Sequence, residues 1–211
     1  MKDNENLKNT YNRISKDWNK DHSGDDWWIE GADKFISLLE KNSFVLDLGC
    51  AGGYKTNYIK NAGFKVEGVD FSEKMIEDAQ NRFPEIDFNV LDVYDIDNLN
   101  KKFDGIFSQA VLLHIPKKDI FEILKKVKSK LNQGGLLYVA VKERRDPNIE
   151  EEIKKENDYG YEYERFFSYY TLDELNNYFK QLDLEVVYQN IVGTGRSNWI
   201  NIIGKNKIIS K

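Results

Sequence analysis

Cysteine, histidine and proline are scarce in this chain of 211 residues. The single cysteine, Cys50, excludes an intramolecular disulfide, and two histidines with one cysteine argue against a zinc site built from His and Cys ligands. Three prolines in the whole chain argue against a long flexible hinge. No apolar run approaches the roughly 18 residues that a membrane-spanning helix needs. We therefore expect no bound metal and no membrane partner.

An excess of positive charge is also missing. The formal net charge is −5, and 32% of the residues are charged. A nucleic-acid binder needs a local excess of Lys and Arg, so we expect no nucleic-acid partner. No basic start followed by an apolar run opens the sequence, which makes the cytoplasm the expected location. We expect a monomer or a weak dimer.

Apolar runs alternate with amphipathic segments over much of the chain, which is typical of βα units and a parallel sheet. Glycines end several of these segments, and Ser72 is the predicted N-cap of one helix. Five predicted strands cover residues 44–48, 66–69, 88–91, 103–107 and 136–141, and predicted helices include residues 56–61 and 119–131. The first forty or so residues are also predicted to be helical.

The last third of the chain changes character. Residues 146–163 are polar, charged and rich in tyrosine, so we expect an excursion over the sheet. Thr171 and Glu174 predict a capping box that starts a helix. Two last strands, 184–188 and 199–203, are joined by GTGRSN, which is too short for a helical crossover, so they should pair antiparallel.

These elements predict an α/β fold: a Rossmann-like three-layer sandwich with a seven-stranded, mostly parallel sheet and an antiparallel last strand. We expect a single domain over 1–211. Within it we expect a helical cap or lid at 1–42, a ligand-binding core at 43–142, and an excursion with an antiparallel hairpin at 143–211.

A glycine-rich turn, DLGCAGG, follows the first predicted strand and precedes a helix. Asp70 ends the second predicted strand, 23 positions after Asp47. Glycines let a ligand approach the backbone, and an acid about 20 residues further on can accept both hydroxyls of a ribose. The pattern indicates a nucleoside site. The alternative is a tight turn flanked by an acid that starts the next helix.

The spacing argues against a nicotinamide dinucleotide. Its site normally has glycines at G-x-G-x-x-G spacing around a pyrophosphate, whereas the glycines here are Gly49, Gly52 and Gly53. Asp47, which precedes the turn, would repel a pyrophosphate and suits a ligand that carries an ammonium group.

In its motifs the chain resembles the class I S-adenosylmethionine-dependent methyltransferases of small bacterial type. The resemblance runs from about residue 44 to residue 140 and is carried by VLDLGCAGG, VEGVDFSEKMIEDA, LDVYD, FDGIFSQAVLLHIPK and LNQGGLLYVAVKE. It departs from the usual pattern at Ala51, where glycine is common. The resemblance implies the cofactor S-adenosyl-L-methionine, the product S-adenosyl-L-homocysteine, and the activity of a methyltransferase.

The resemblance also implies which residues hold the cofactor. Gly49 to Gly53 would line its methionine part, Asp70 would take the ribose hydroxyls, and Asp92 would meet the adenine amino group. Ser108 and Gln109 would lie near the sulfonium. The full predicted set is Tyr11, Asp47, Gly49, Gly53, Asp70, Phe71, Met75, Asp92, Val93, Ser108 and Gln109.

No catalytic residue is evident. His114 is a weak candidate for a general base, but the family often has a histidine at this place whatever the substrate, which favours a structural role. Cys50 lies inside the turn and is expected to pack. Among the N-terminal aromatics, Tyr11 is the best candidate for ligand contact, while Trp18, Trp27 and Trp28 are expected mostly to pack.

Two further segments are candidates for the acceptor side. Residues 161–167 would line an acceptor pocket or form a solvated loop, and Arg196 would reach an acceptor carboxylate or phosphate or be simply exposed. The expected reaction is in-line methyl transfer to an O or N atom of a small molecule. The alternatives are a tRNA or protein methyltransferase and a nucleoside-binding module without catalysis.

Overall fold

A computed structural model describes residues 2–195 and 197–208 of the protein. Arg196 lies outside the described residues. The helices are α1 (Lys2–Asp21), α2 (Ile29–Leu38), α3 (Tyr54–Asn61), α4 (Glu73–Arg82), α5 (Lys117–Ser129) and α6 (Leu172–Gln181). The strands are β1 (Phe44–Leu48), β2 (Lys65–Asp70), β3 (Asp87–Val90), β4 (Phe103–Gln109), β5 (Leu131–Lys142), β6 (Glu151–Glu156), β7 (Tyr163–Ser168), β8 (Leu184–Gly193) and β9 (Asn198–Asn206).

Seven strands form one sheet in the order β3-β2-β1-β4-β5-β9-β8. The pairings among β1 to β5 are parallel, and β9 is antiparallel to both β5 and β8. The prediction of a mostly parallel sheet with one antiparallel strand near its end is therefore confirmed. The order reverses between β1 and β4, and ligands of open α/β sheets bind beside such a reversal, at the carboxyl ends of the strands.

Helices cover both faces of the sheet. On one face, α5 and α6 pack through Ile123, Leu124 and Phe179. On the other face, Phe35 of α2 and Ile59 of α3 join the core, and α4 packs near β2 and β3. The 3.6-residue spacing of apolar side chains on each helix produces these buried stripes. No helix in the described part of the chain is long and apolar enough to cross a membrane.

The predicted helix caps are present. Ser72 Oγ accepts a hydrogen bond from the backbone N–H of Met75, and Thr171 forms the capping box with Glu174. Each cap satisfies backbone donors that the first helical turn leaves without a partner.

A second, two-stranded sheet was not predicted. β6 and β7 pair antiparallel from Glu151–Ser168 to Glu156–Tyr163. The segment EEIKKE has one apolar residue, Ile153, so the usual alternation of a half-buried strand is missing. Residues 151–156 lie outside the seven-stranded sheet, as an excursion would, and backbone pairing with β7 decides their conformation.

The helix α1 lies between α4 and this hairpin. On the α4 side, Asn12 Oδ1 accepts from Ser72 Oγ at 2.7 Å, and Lys8 forms an ion pair with Glu73. On the hairpin side, the hydroxyl of Tyr161 donates to Asp17 at 2.7 Å. The N-terminal helix is thus attached on both sides by polar contacts.

Close packing at Gly68 generates a stability prediction. A Cβ at this position of β2 would lie 2.6 Å from Cδ1 of Phe88 and 2.9 Å from Sγ of Cys50. Gly68→Ala should therefore destabilise the protein by about 1–3 kcal/mol, as overpacking of a full core does. Urea unfolding monitored by circular dichroism measures this difference.

Gly24 provides the matched control, because a Cβ there meets no atom within 4 Å. Gly24→Ala should change the free energy of unfolding by less than about 0.5 kcal/mol. Equal stability of Gly68→Ala and the unmodified protein would contradict the packing described for this face.

Candidate functional site

A cavity opens at the carboxyl ends of the parallel strands, beside the point where the strand order reverses. Residues at the carboxyl ends of β1, β2, β4 and β5 line the side formed by the sheet, and residues of α1 and β7 also line the cavity. It includes eight of the residues predicted to bind a cofactor, namely Tyr11, Gly49, Asp70, Phe71, Met75, Asp92, Val93 and Gln109.

Three predicted residues, Asp47, Gly53 and Ser108, do not line the cavity. The Asp47 carboxylate is buried and accepts a 2.6 Å hydrogen bond from Thr56 Oγ1. Burial raises its pKa to about 6, against the opposing effects of Thr56 and Lys55. Gly53 is the N-cap of α3, and Ser108 is fully buried in β4.

The turn after β1 depends on left-handed backbone conformations. Gly49 has φ +76° and Gly53 has φ +80°, which glycine adopts without a steric penalty. A Cβ at Gly49 would lie 2.1 Å from Cγ2 of Val111, so this position also needs glycine for space. Ala51 has φ +46°, a conformation that is uncommon for alanine.

Asp70 ties this turn to the start of α4. Its Oδ2 accepts from the backbone N–H of Ala51 at 3.0 Å, and its Oδ1 accepts from that of Ser72 at 2.9 Å. The pKa of the Asp70 carboxyl is raised to about 6, chiefly by burial and also by the nearby carboxylates of Asp47 and Asp92, in spite of these two hydrogen bonds. A ligand that donates hydrogen bonds to Asp70 would stabilise the charged form.

Asp92 presents a second carboxylate at the end of β3. Its Oδ1 accepts from the backbone N–H of Tyr94 at 3.0 Å, and its Oδ2 accepts from Nδ2 of Asn4 at 2.6 Å. Between Asp70 and Asp92 the cavity wall is apolar and consists of Phe71, Met75, Leu91 and Val93. Two carboxylates around an apolar wall suit a flat ring that carries hydrogen-bond donors.

Two buried polar atoms near the end of β4 lack a partner in the described part of the chain: Ser108 Oγ and Gln109 Nε2. The Tyr138 hydroxyl lies 2.8 Å from Gln109 Oε1 and 2.7 Å from Asn201 Oδ1, and its one hydrogen serves only one of them. An unsatisfied buried polar atom costs about 1–3 kcal/mol. A polar ligand at the cavity wall beside Gln109 would remove part of that cost.

The hydrogen bonds of His114 define its tautomer. Its Nδ1 lies 2.6 Å from the carbonyl oxygen of Phe166, which only accepts, so Nδ1 carries the hydrogen. Its Nε2 lies 2.8 Å from the hydroxyl of Tyr11, which then donates to it. The pKa of His114 is lowered to about 3, chiefly by burial and also by the positive charges of Arg165 and Lys142, while the hydrogen bond to Phe166 opposes these effects.

Near the end of β5, the cavity is lined by residues for which the sequence predicted no role or only a general one. Lys142, at the end of β5, and Trp199, at the start of β9, line it together with Arg165 and Phe167 of β7. Arg165 and Phe167 fall within the segment suggested for an acceptor pocket. Lys142 could have been found from the sequence, because it ends the apolar strand β5 at the same edge as Gln109.

The N-terminal aromatics divide between cavity and core. Tyr11, Trp18 and Trp27 line the cavity, and the ring of Tyr11 lies 5.8 Å from that of Phe71. Trp28 packs in the core, with its ring edge-on to Tyr58 at 5.1 Å. The expectation that these tryptophans mostly pack therefore fits Trp28, whereas Trp18 and Trp27 also line the cavity.

The comparisons with known proteins agree on one family. A family model described as a methyltransferase domain matches residues 21–189. A ubiquinone biosynthesis O-methyltransferase of Coxiella burnetii is 33% identical over 102 residues, which are 46% of this chain and 43% of that protein. A tRNA U34 carboxymethyltransferase of Campylobacter fetus is 33% identical over 117 residues, 53% of this chain and 40% of that protein.

Among solved structures, the 1,6-didemethyltoxoflavin-N1-methyltransferase of Burkholderia thailandensis has the same fold, with a TM-score of 0.75 and 17% identity. The match covers 96% of this chain and 88% of that one, which was solved with 1,6-didemethyltoxoflavin and S-adenosylhomocysteine bound. The matched part of the chain spans between 40% and 53% of the length of the curated relatives.

The tautomer of His114 can be tested directly. We expect a neutral ring with hydrogen on Nδ1, and no titration between about pH 5 and pH 8, where an ordinary histidine changes charge. Long-range ¹H–¹⁵N correlation spectra of the two histidines measure both properties, with His114→Gln used to assign the signals.

Arg165→Met should raise the pKa of His114, since it removes a nearby positive charge. Tyr11→Phe should leave the hydrogen on Nδ1, because the Phe166 carbonyl is unchanged. A ring that is protonated at pH 6, or a hydrogen on Nε2, would contradict the described hydrogen bonds.

Proposed function

The chain belongs to the methyltransferase domain family, and on that premise we propose that it transfers a methyl group from S-adenosylmethionine to an O or N atom of a small molecule. The observation that carries this proposal is the placement of Asp70 and Asp92 around one apolar wall, next to the glycine turn. Hydroxyl and amino donors next to a flat ring, as in adenosine, match this arrangement of two acceptors around an apolar surface.

The residues present fit the cofactor. Asp70 would accept the ribose hydroxyls, and Asp92 would accept from the adenine amino group. Phe71, Met75 and Val93 would contact the adenine ring. The backbone at Gly49, which cannot carry a Cβ beside Val111, would lie against the methionine part. Gln109 would face the region of the sulfonium.

Asp47 and Ser108 would act from behind the cavity wall. Asp47 holds α3 to the turn through Thr56 and adds negative potential close to a ligand that carries an ammonium group. Gly53 provides the left-handed N-cap that starts α3. These residues would shape the cofactor site without contributing to the cavity surface.

When bound, the cofactor supplies a methyl group activated by a positively charged sulfur. The chain's own contribution is to align the acceptor with that methyl group and to exclude water, and alignment alone can lower a barrier by several kcal/mol. The cavity is closed by α1 and β7, which favours a small acceptor over a nucleic acid or a protein. The net charge of −5 favours the same choice.

A general base is not required in this proposal. His114 is a poor base near neutral pH with a pKa of about 3, and its Nε2 already accepts the hydrogen of Tyr11. We propose that His114 positions Tyr11 on α1 and links it to the β7 backbone, so that its role is structural.

Binding and turnover together test the proposed function. Calorimetric titration should show that S-adenosylmethionine and S-adenosylhomocysteine bind and that NAD does not. Release of S-adenosylhomocysteine is then measured with panels of small phenols, acids and amines, with tRNA and with proteins. Cofactor binding without turnover on any acceptor would support a nucleoside-binding module, and turnover on tRNA or protein would replace the small-molecule proposal.

Asp70→Ala should weaken S-adenosylhomocysteine binding by about 1.5–3 kcal/mol, roughly 10- to 150-fold in Kd, because the ribose hydroxyls lose a charged acceptor. In the unmodified protein the affinity should rise as the pH increases through about 6, since hydroxyl donors bind the ionised carboxylate. Titration calorimetry at pH 5 to 8 measures both effects.

Asp87→Asn is the control, because Asp87 is exposed at the opposite end of β3. Asp70→Ala should also remove most of the pH dependence, which separates Asp70 from Asp47, whose pKa is raised to a similar value. An unchanged affinity in a folded Asp70→Ala protein would refute the ribose assignment.

His114→Ala should lower turnover only modestly, by less than about tenfold, through a shift of the segment after β4 and of Tyr11. Initial rates at saturating cofactor measure this, and His114→Gln should be closer to the unmodified enzyme. A loss on the order of a thousandfold, which removal of a general base can cause, would identify His114 as the base if folding and cofactor affinity were intact.

A further inference from the structure

Lys142 occupies an unusual place at the acceptor end of the cavity. It is the last residue of β5, two positions beyond Ala140, which pairs with Gln109. Its ammonium lies 4.1 Å from the ring centre of Phe167 and 5.9 Å from that of Trp199. It lines the main cavity and also a smaller one beside it. Lys142 therefore stands where the two spaces adjoin.

The neighbouring cations have carboxylate partners. Arg165 makes two hydrogen bonds to Glu156, Nε–Oε2 at 2.6 Å and Nη2–Oε1 at 2.7 Å. Lys154 lies 3.5 Å from Glu152. For Lys142, the described side chains provide no ion pair and no hydrogen-bond acceptor, and the ring of Phe167 lies closest to its ammonium among the aromatic rings.

The surroundings of Lys142 disfavour its charged form. The pKa of its ammonium is lowered to about 8, chiefly by burial and also by the positive charges of Arg165 and Lys154, against the attraction of Glu156 and Glu152. At pH 7 the group is still mostly protonated. A half-buried positive charge without a partner is costly, and such groups in a cavity are typical of binding sites.

The walls around this charge are flat and apolar. Phe167 lies below the ammonium, and Trp199 stacks on Trp27 with ring centres 4.3 Å apart. An acceptor group placed here would contact ring faces and one positive charge. A dianionic phosphate would bring a second negative charge close to Glu156, so a monoanion matches the site better.

We infer that Lys142 binds a carboxylate of the methyl acceptor, and that the acceptor is a small planar organic acid held against Phe167 and Trp199. This inference rests on the proposed function, because it assigns the acceptor class to the same cavity. The carboxylate would supply the partner that Lys142 lacks. It would hold the acceptor at the end of β5, the strand that pairs with β4, which ends at Gln109.

The test compares acids with matched amides, so it does not require the natural acceptor. Benzoate, cinnamate and 2-naphthoate, and the corresponding carboxamides, are titrated into protein saturated with S-adenosylhomocysteine, with binding measured by NMR shift changes. At least one acid should bind about tenfold or more tightly than its amide. Lys142→Met should remove that preference.

Lys154→Met is the matched control, since Lys154 is also near Phe167, at 6.0 Å, but has Glu152 as a partner. It should keep the preference for acids. Lys142→Met should fold with a Tm equal to or above that of the unmodified protein, because it removes a charge without a partner. Its affinity for S-adenosylhomocysteine should be nearly unchanged.

A second readout follows Lys142 itself. In protein labelled with ¹³C-lysine, its ammonium should titrate near pH 8, and saturation with the acid should move that pKa upwards. No binding of any acid, equal binding of acids and amides, or a pKa unaffected by the acid would overturn the inference. Failure to bind S-adenosylhomocysteine would instead refute the proposed function, and the acid–amide comparison can then be made without it.

Discussion

The two hydrogen bonds that Asp70 accepts from backbone N–H groups are the contacts on which the site depends. They join the left-handed turn after β1 to the first turn of α4, and Ser72, the residue next to them, also holds α1 through Asn12. Three segments that are distant in the sequence thus meet around one carboxylate. Because that carboxylate is buried, its charge is costly, and hydrogen-bond donors from a ligand would lower the cost.

The conformation of Ala51 shows how this contact controls the turn. Alanine seldom adopts a positive φ, yet the backbone N–H of Ala51 must point at Asp70 for the bond to form. The strain of such a residue is of order 1–3 kcal/mol and persists only where surrounding contacts hold it. Here the Asp70 bond and the bond from the Gly53 N–H to the Cys50 carbonyl provide that restraint, so a residue other than glycine is accommodated within the turn.

Sequence patterns predicted the sheet and much of the cavity because both follow from local rules. Apolar runs ended by glycine or aspartate define β1 and β2, and the short connection before Trp199 sets the direction of β9. The hairpin β6–β7 was missed because β6 is a charged segment without alternating apolar residues, and its conformation comes from backbone pairing with β7. The end of β5 places Lys142 at the edge of the cavity, but its contacts with Phe167 and Trp199 could not be predicted, because they depend on where β7 and β9 lie relative to β5.

The attachment of α1 carries a consequence for the behaviour of the cavity in solution. Much of what fastens this helix is polar: Lys8 with Glu73, Asn19 with Asp78, Tyr161 with Asp17, and Arg13 with the Glu162 carbonyl. Attractions between partly exposed charges weaken as dissolved ions screen them. Among these contacts only Lys8–Glu73 joins two opposite charges, so added salt weakens the α4 side of the helix first and leaves the apolar sheet beneath it unaffected. The cover of the cavity is therefore the part of the fold whose attachment depends on ionic strength.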